Sequence, residues 1–288
     1  MTISIRTDIS ANSFRFTADV AGDASAPLVL LLHGFPQTRY AWRHQLPALA
    51  AAGFRAAAPD QRGYSPGARP IGVEHYGVDA LIADALAIAD ELAAPRFHLV
   101  GHDWGGQLAW LLAARHADRV RTLTVLSRPH PAAFARALAS DPKQGERSKH
   151  HRAFQDPSTG ARLIEDGAKR LRRMLRDHGV PEPDADAYVA PLSTHAAIDA
   201  ALNWYRAAFR GASTLAMSDV PAVRMPTLFL WGDADLTVGR PAAEATREFA
   251  KGSYRFVVIP GAGHFLTDQA PEAVTQELLA HLASHALA

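Results

Sequence analysis

The sequence predicts an α/β protein: a mostly parallel sheet flanked by helices, with an inserted helical cap. Three observations predict it. Short aliphatic runs alternate with helical patterns up to about residue 128, the alternation stops after Pro131, and it resumes near Thr227.

Residues 28–32 form a continuous aliphatic run, the mark of a strand buried on both faces. Runs at 54–58, 97–100 and 123–126 repeat it. Between them Val78, Leu81, Ile82, Ala85, Ala89 and Leu92 recur at three and four, the spacing of an amphipathic helix. Strand, helix, strand in this order implies parallel pairing. From 131 to 219 the chain is rich in Ala, Arg and Asp and helical in character. Strand patterns return at 227–231 and 254–259, and an amphipathic helix over 273–285 closes the chain. The expected organisation is a core in two parts, 1–130 and 220–288, with a helical cap at 131–219.

Composition narrows the function classes. The 288 residues are 48% hydrophobic, enough for a large core, and the net charge of +1 gives no field to recruit nucleic acid or an anionic membrane. The absence of cysteine removes disulfides, thiolate metal sites and thiol catalysis together. The first residues lack the basic start and apolar run of a signal peptide, and no stretch approaches the ~20 apolar residues of a membrane helix. A cytoplasmic protein acting on a small molecule is the expectation. Oligomeric state is not legible, a homodimer being the one assembly kept open.

The chemistry concentrates in Gly101-His102-Asp103-Trp104-Gly105-Gly106, which follows one strand and opens a helix. This is the layout of a nucleophile elbow, Gly-x-nucleophile-x-Gly, with aspartate where serine is usual. Two partners should follow, an acid and then a histidine. Trp231-Gly232-Asp233-Ala234-Asp235 ends the first strand after the insertion, and Gly261-Ala262-Gly263-His264 ends the last. His33-Gly34-Phe35-Pro36 follows the 28–32 strand, where a backbone N–H can serve an oxyanion hole beside that of Trp104. An aspartate is ionised at neutral pH without a base to activate it. It suits attack on a saturated carbon, as in an epoxide or alkyl halide, and leaves an ester that water can cleave. His264, oriented by the late acid, would deprotonate that water, with Phe35 and Trp104 N–H groups holding the oxyanion.

With these motifs the sequence resembles the epoxide hydrolases of the α/β-hydrolase superfamily, from His33 to the C-terminus. The match rests on His33 to Pro36, Asp60-Gln61-Arg62-Gly63-Tyr64, Gly101 to Gly106, Asn203-Trp204-Tyr205-Arg206 and Gly263-His264. The resemblance implies the α/β-hydrolase fold with a cap carrying two tyrosines that donate to the epoxide oxygen. One of them maps onto Tyr205. The family's triad acid is usually the fourth residue of a Gly-x-x-Asp unit, which selects Asp235 over Asp233. The second cap tyrosine lies seven residues before a proline, in a segment resembling Phe154-Gln155-Asp156-Pro157, and that position here is His150. A shift of one residue would put His151 there. Fluoroacetate dehalogenases, a neighbouring family, also carry a histidine near this place, and a histidine N–H can donate.

The alternative is a haloalkane or haloacid dehalogenase using the same aspartate. Many haloalkane dehalogenases carry Asn after His-Gly in the first loop, where this chain has Phe35. Haloacid dehalogenases of this fold place arginines beside the nucleophile, where this chain has Trp104 and Gln107. Both departures favour the epoxide. The basic stretch 169–176 is expected to be a cap helix with a solvated face. His281 and His285 are read as solvent-facing rather than metal ligands, and Gly261-Ala262-Gly263 lacks the glycine of a nucleotide loop. No cofactor and no metal are implied.

Overall fold

The computed structural model describes residues 4–210 and 217–285. Its strands are β1 (Ile5–Ala11), β2 (Phe14–Ala21), β3 (Leu28–Leu32), β4 (Arg55–Pro59), β5 (Phe97–His102), β6 (Val120–Leu126), β7 (Thr227–Gly232) and β8 (Tyr254–Ile259). They form one sheet in the order β1-β2-β4-β3-β5-β6-β7-β8. Pairing from β4 through β8 is parallel, while β1–β2 and β2–β4 are antiparallel. Every residue of β3, β5 and β7 is buried, as parallel strands covered on both faces must be.

The β1–β2 hairpin was not legible as such. Only Ile9 and Ala11 are buried in β1, because it is an edge strand with little alternation to read. Its turn is carried by Asn12 and Ser13, with φ of 49° and 65°. Positive φ at both turn residues matches the right-handed twist of the flanking strands.

Three helices follow the early strands: α1 (Gln45–Ala51), α2 (Val78–Glu91) and α3 (Trp104–Arg115). The chain beyond β6 then runs through α4 (Pro131–Ser140), α5 (Pro142–Arg147), α6 (His150–Ala153), α7 (Thr159–Asp177), α8 (Glu182–Val189) and α9 (His195–Phe209) before it re-enters the sheet. Helix α7 is broken at Glu165–Ala168, where Asp166, Gly167 and Ala168 take positive φ. In its second half Leu171 and Leu175 are buried while Arg170, Arg173 and Arg176 face solvent. Around β8 lie α10 (Arg240–Ala245), α11 (Leu266–Gln269) and α12 (Pro271–Ala283). The buried stripe of α12 is Val274, Leu278, His281 and Leu282. His281 therefore corrects the reading of it as solvent-facing: it occupies an i+3 position on the packed face, and burial lowers its pKa to about 4. Among the described residues no helix is long and apolar enough to cross a membrane.

Two buried polar braces fix the inserted helices onto the sheet's carboxyl edge. In the first, Arg62 holds Asp84 of α2 through Nε at 2.6 Å and Nη2 at 2.7 Å, while its carbonyl accepts the Trp204 indole N–H of α9 at 2.8 Å. Gln61 donates to the His33 carbonyl at 2.6 Å, so the Asp60–Tyr64 motif braces the loop after β3. In the second, Asp268 of α11 accepts from Gln37, Arg43 and the Tyr188 hydroxyl of α8, each at 2.8 Å. Removing a partner from such a network leaves buried donors unmade, so it resists loosening.

Strand order reverses around β3, whose sequence successor β4 lies on one side and β5 on the other. A crevice opens outside the carboxyl ends of strands at such a reversal. The loop after β3 and the turn after β5 meet there.

Candidate active site

Asp103 sits between β5 and α3 with φ 51° and ψ −116°, outside the regions that L-residues favour. Such a conformation costs of order 1–3 kcal/mol and is held by what surrounds it. Here the glycines do the holding. A Cβ on Gly105 would lie 2.2 Å from the Leu32 carbonyl oxygen, and one on Gly34 would lie 2.3 Å from Asp103 Oδ1. Neither position admits a side chain.

The Phe35 N–H donates to Asp103 Oδ1 at 3.0 Å. Asp103 Oδ2 lies 3.4 Å from His264 Nε2, and His264 Nδ1 lies 2.9 Å from Asp235 Oδ2. Thr237 donates its hydroxyl to Asp235 Oδ1 at 2.6 Å and stands 2.6 Å from His264 Nδ1. Asp235 Oδ1 also accepts the Thr237 and Val238 N–H groups, at 2.7 and 3.0 Å. Asp233 is exposed and caps the Gly261 N–H at 2.7 Å, so of the two acids it is Asp235 that meets the histidine. Trp104 opens α3, where its N–H has no carbonyl four residues back to bind.

The electrostatics follow from this line of charges. Burial alone would raise the pKa of Asp103, but the hydrogen bond and charge of His264 overcome it and hold the carboxyl below its ordinary range. Asp235 is lowered the same way, His264 again outweighing burial. For His264 burial lowers and the two aspartates raise, and the aspartates prevail, lifting it from 6.5 to about 10. The three shifts together favour an imidazolium between two carboxylates. A raised histidine pKa contributes stability that is full below about 6.5 and lost as pH rises through about 10. Asp103→Asn should therefore bring the His264 titration down towards its ordinary value, as read by NMR of the imidazole. An unmoved titration would contradict the pairing.

From the inserted helices Tyr205 reaches the same crevice. Its ring packs edge-on against Trp104 at 4.9 Å, Phe154 at 4.9 Å and Phe35 at 5.6 Å. Burial pushes its phenol well above the ordinary value, so it stays protonated. His150 and His151 both flank it, with ring centroids 6.3 and 5.7 Å away. Their surroundings differ. After burial, which lowers both to about 4 and about 3, the largest charge on His150 is Asp103, whereas on His151 it is Arg128. His150 has its Nδ1 against the Arg147 carbonyl at 3.2 Å.

Four residues at the site escaped the sequence reading. His102 and Ser127 both donate to the His264 carbonyl, at 2.8 and 2.7 Å, and so fix its loop. Thr237 orients the acid. Arg128, which follows the strand after the elbow, is 7% exposed and influences Asp103, Tyr205 and both cap histidines. A basic residue two positions past a strand's carboxyl end was the available signal.

An acid–imidazole–acid line at a sheet reversal, under inserted helices, defines a class of enzyme site, and comparison with known proteins places the chain in it. A sequence profile described as alpha/beta hydrolase fold matches residues 27–271. Epoxide hydrolase A of Mycobacterium tuberculosis (strain ATCC 25618 / H37Rv) is 36% identical, over 95% of this chain and 96% of that protein. Epoxide hydrolase 4 of Mus musculus is 33% identical, over 95% of this chain and 78% of its own length. The crystal structure of Epoxide Hydrolase A from Mycobacterium thermoresistibile, 30% identical, superposes with a TM-score of 0.84 and covers 98% of both chains. The chain belongs to the epoxide hydrolase branch of the α/β-hydrolase-fold family. It is a hydrolase.

Proposed function

We propose that the protein opens an epoxide to a vicinal diol through a covalent ester on Asp103. The observation that carries this reading is the ionised Asp103 at 3.4 Å from His264, beneath a protonated Tyr205 packed on Trp104. Asp103 attacks an epoxide carbon and the C–O bond breaks. Tyr205 and His150 donate to the departing oxygen, without which an alkoxide is a poor leaving group. The attack removes the negative charge of Asp103, so the cation of His264 loses a partner and its proton passes to the new hydroxyl. Neutral His264 then takes a proton from a water that attacks the Asp103 carboxyl carbon. The N–H groups of Phe35 and Trp104 hold the tetrahedral oxyanion. Collapse expels the diol as its alkoxide, which takes the proton of the carboxylic acid so formed, and the Asp103 carboxylate again faces a cationic His264. One epoxide and one water are consumed per diol.

Asp235 holds the tautomer and stabilises the cation without itself being protonated. A matched panel of epoxides, haloalkanes and haloacids tests the reading. Diol formation from epoxides should exceed halide release from the other two sets. Halide release with no diol would move the assignment to a dehalogenase that uses the same aspartate.

A further inference from the structure

Three arginines among the described residues are nine-tenths or more buried: Arg62, Arg128 and Arg206. Arg62 holds Asp84 and Arg206 holds Asp199. Arg128 holds no carboxylate. Its Nε donates to Gln107 Oε1 at 2.9 Å and its guanidinium lies 4.1 Å over the Phe134 ring. Its two Nη groups donate to no acceptor among the described residues. The residue as a whole is buried but these Nη groups are not closed off, so a poorly hydrated cation offers an open edge to which an anion would be drawn.

The neighbours of Arg128 indicate where that anion would sit. The guanidinium lies over Phe134, whose ring meets that of His151 at 6.2 Å, and His151 in turn lies 5.7 Å from Tyr205, which puts Arg128 beside the reaction crevice, where Asp103 and Tyr205 act on it. His151 shares Phe134 with it, ring to ring at 6.2 Å, and Arg128 is the largest charge that His151 feels. The ring nitrogens of His151 make no hydrogen bond among the described residues, although its backbone carbonyl accepts from Gln155 at 3.1 Å. The remaining cation of the crevice, His264, is already held by Asp103 and Asp235. A planar fork without a partner, next to a ring N–H without a partner, matches the geometry of a carboxylate.

We propose that Arg128, with His151 beside it, is a specificity site that binds a carboxylate on the substrate, so that the preferred epoxides are epoxy acids. The inference rests on the epoxide reading for its substrate class, and on the unpaired guanidinium for its charge. In such a complex Arg128 offsets the repulsion between the substrate carboxylate and Asp103, and it fixes which way the epoxide lies relative to the nucleophile. No bond to Arg128 forms or breaks.

The test compares an acid with its neutral isostere. For wild-type enzyme kcat/KM on glycidate should exceed that on glycidamide by about 10- to 100-fold, the worth of a charge-assisted pair. Arg128→Met should bring the ratio close to one, and Arg128→Lys, which keeps the charge but not the fork, should fall between. Binding of propanoate against propanamide, by isothermal titration, reads the same preference without turnover. A wild-type enzyme that treats acid and amide alike, or an Arg128→Met enzyme that keeps the preference, would show that Arg128 only balances Asp103. If neither oxirane is turned over yet propanoate binds more tightly than propanamide in wild type and not in Arg128→Met, the carboxylate site stands, and the matched panel of epoxides, haloalkanes and haloacids judges the epoxide reading separately.

Discussion

On the proposed mechanism, replacing His264 with Gln should leave Asp103 esterified. On this account Asp103 is ionised without help from a base and Tyr205 and His150 still donate to the departing oxygen, which can take its proton from solvent, so attack on the epoxide should proceed in this variant. Cleavage of the ester does not, because the water that must attack has lost its base. Removing the histidine of a triad slows the step it serves by about 10⁴–10⁶. Mixing His264→Gln with an epoxide should therefore yield, by intact mass, one adduct per chain within minutes, and peptide mapping should place it on Asp103. Asp103→Ala should be unlabelled and inactive. A label on another residue would move the nucleophile.

The next largest effect belongs to the inserted helices. Tyr205→Phe keeps the ring that packs on Trp104, Phe35 and Phe154 and removes only the hydroxyl. Negative charge grows on the epoxide oxygen during ring opening, so alkylation should slow by about 10²–10³, the usual worth of one such donor. His150→Phe should act on the same step. His151→Phe should act less, since Arg128 rather than Asp103 is the charge that acts on it most. The double variant of Tyr205 and His150 should form almost no adduct, while an ester formed in advance should hydrolyse at its usual rate. Stopped-flow traces of Trp104 fluorescence separate the two steps. Unchanged ring opening in Tyr205→Phe would remove Tyr205 from the mechanism.

The parts of this account legible in the sequence are those that a short stretch of chain determines. An elbow is a local object, a strand, a tight turn and a helix, so Gly101 to Gly106 declares it without reference to anything distant. The parallel strands declare themselves because burial on both faces leaves them no polar positions. Asp235 required the resemblance, since Asp233 and Asp235 end the same strand and only the third dimension turns one to His264 and the other to Gly261. The edge hairpin was faint because an edge strand need not alternate. His281 was misread because a histidine in an apolar helix stripe looks polar in a sequence and packs as a ring. Ser127 and His102 could not be read because the His264 carbonyl they hold lies 137 and 162 residues further along the chain, in the loop after β8; the contacts of Arg128, with Gln107 of α3 and Phe134 of α4, have no period in the sequence either.

The covalent ester is the centre of the account, and the origin of one oxygen atom tests it most directly. With enzyme in excess over epoxide in water enriched in oxygen-18, the proposed ester requires that the attacking oxygen of the first turnover come from the Asp103 carboxylate. The account predicts a diol without the heavy isotope after one turnover and a heavy oxygen in Asp103, with labelled diol emerging only when turnover is repeated. Labelled diol from the first turnover, with Asp103 unlabelled, would mean that water attacks the epoxide itself and that no ester forms.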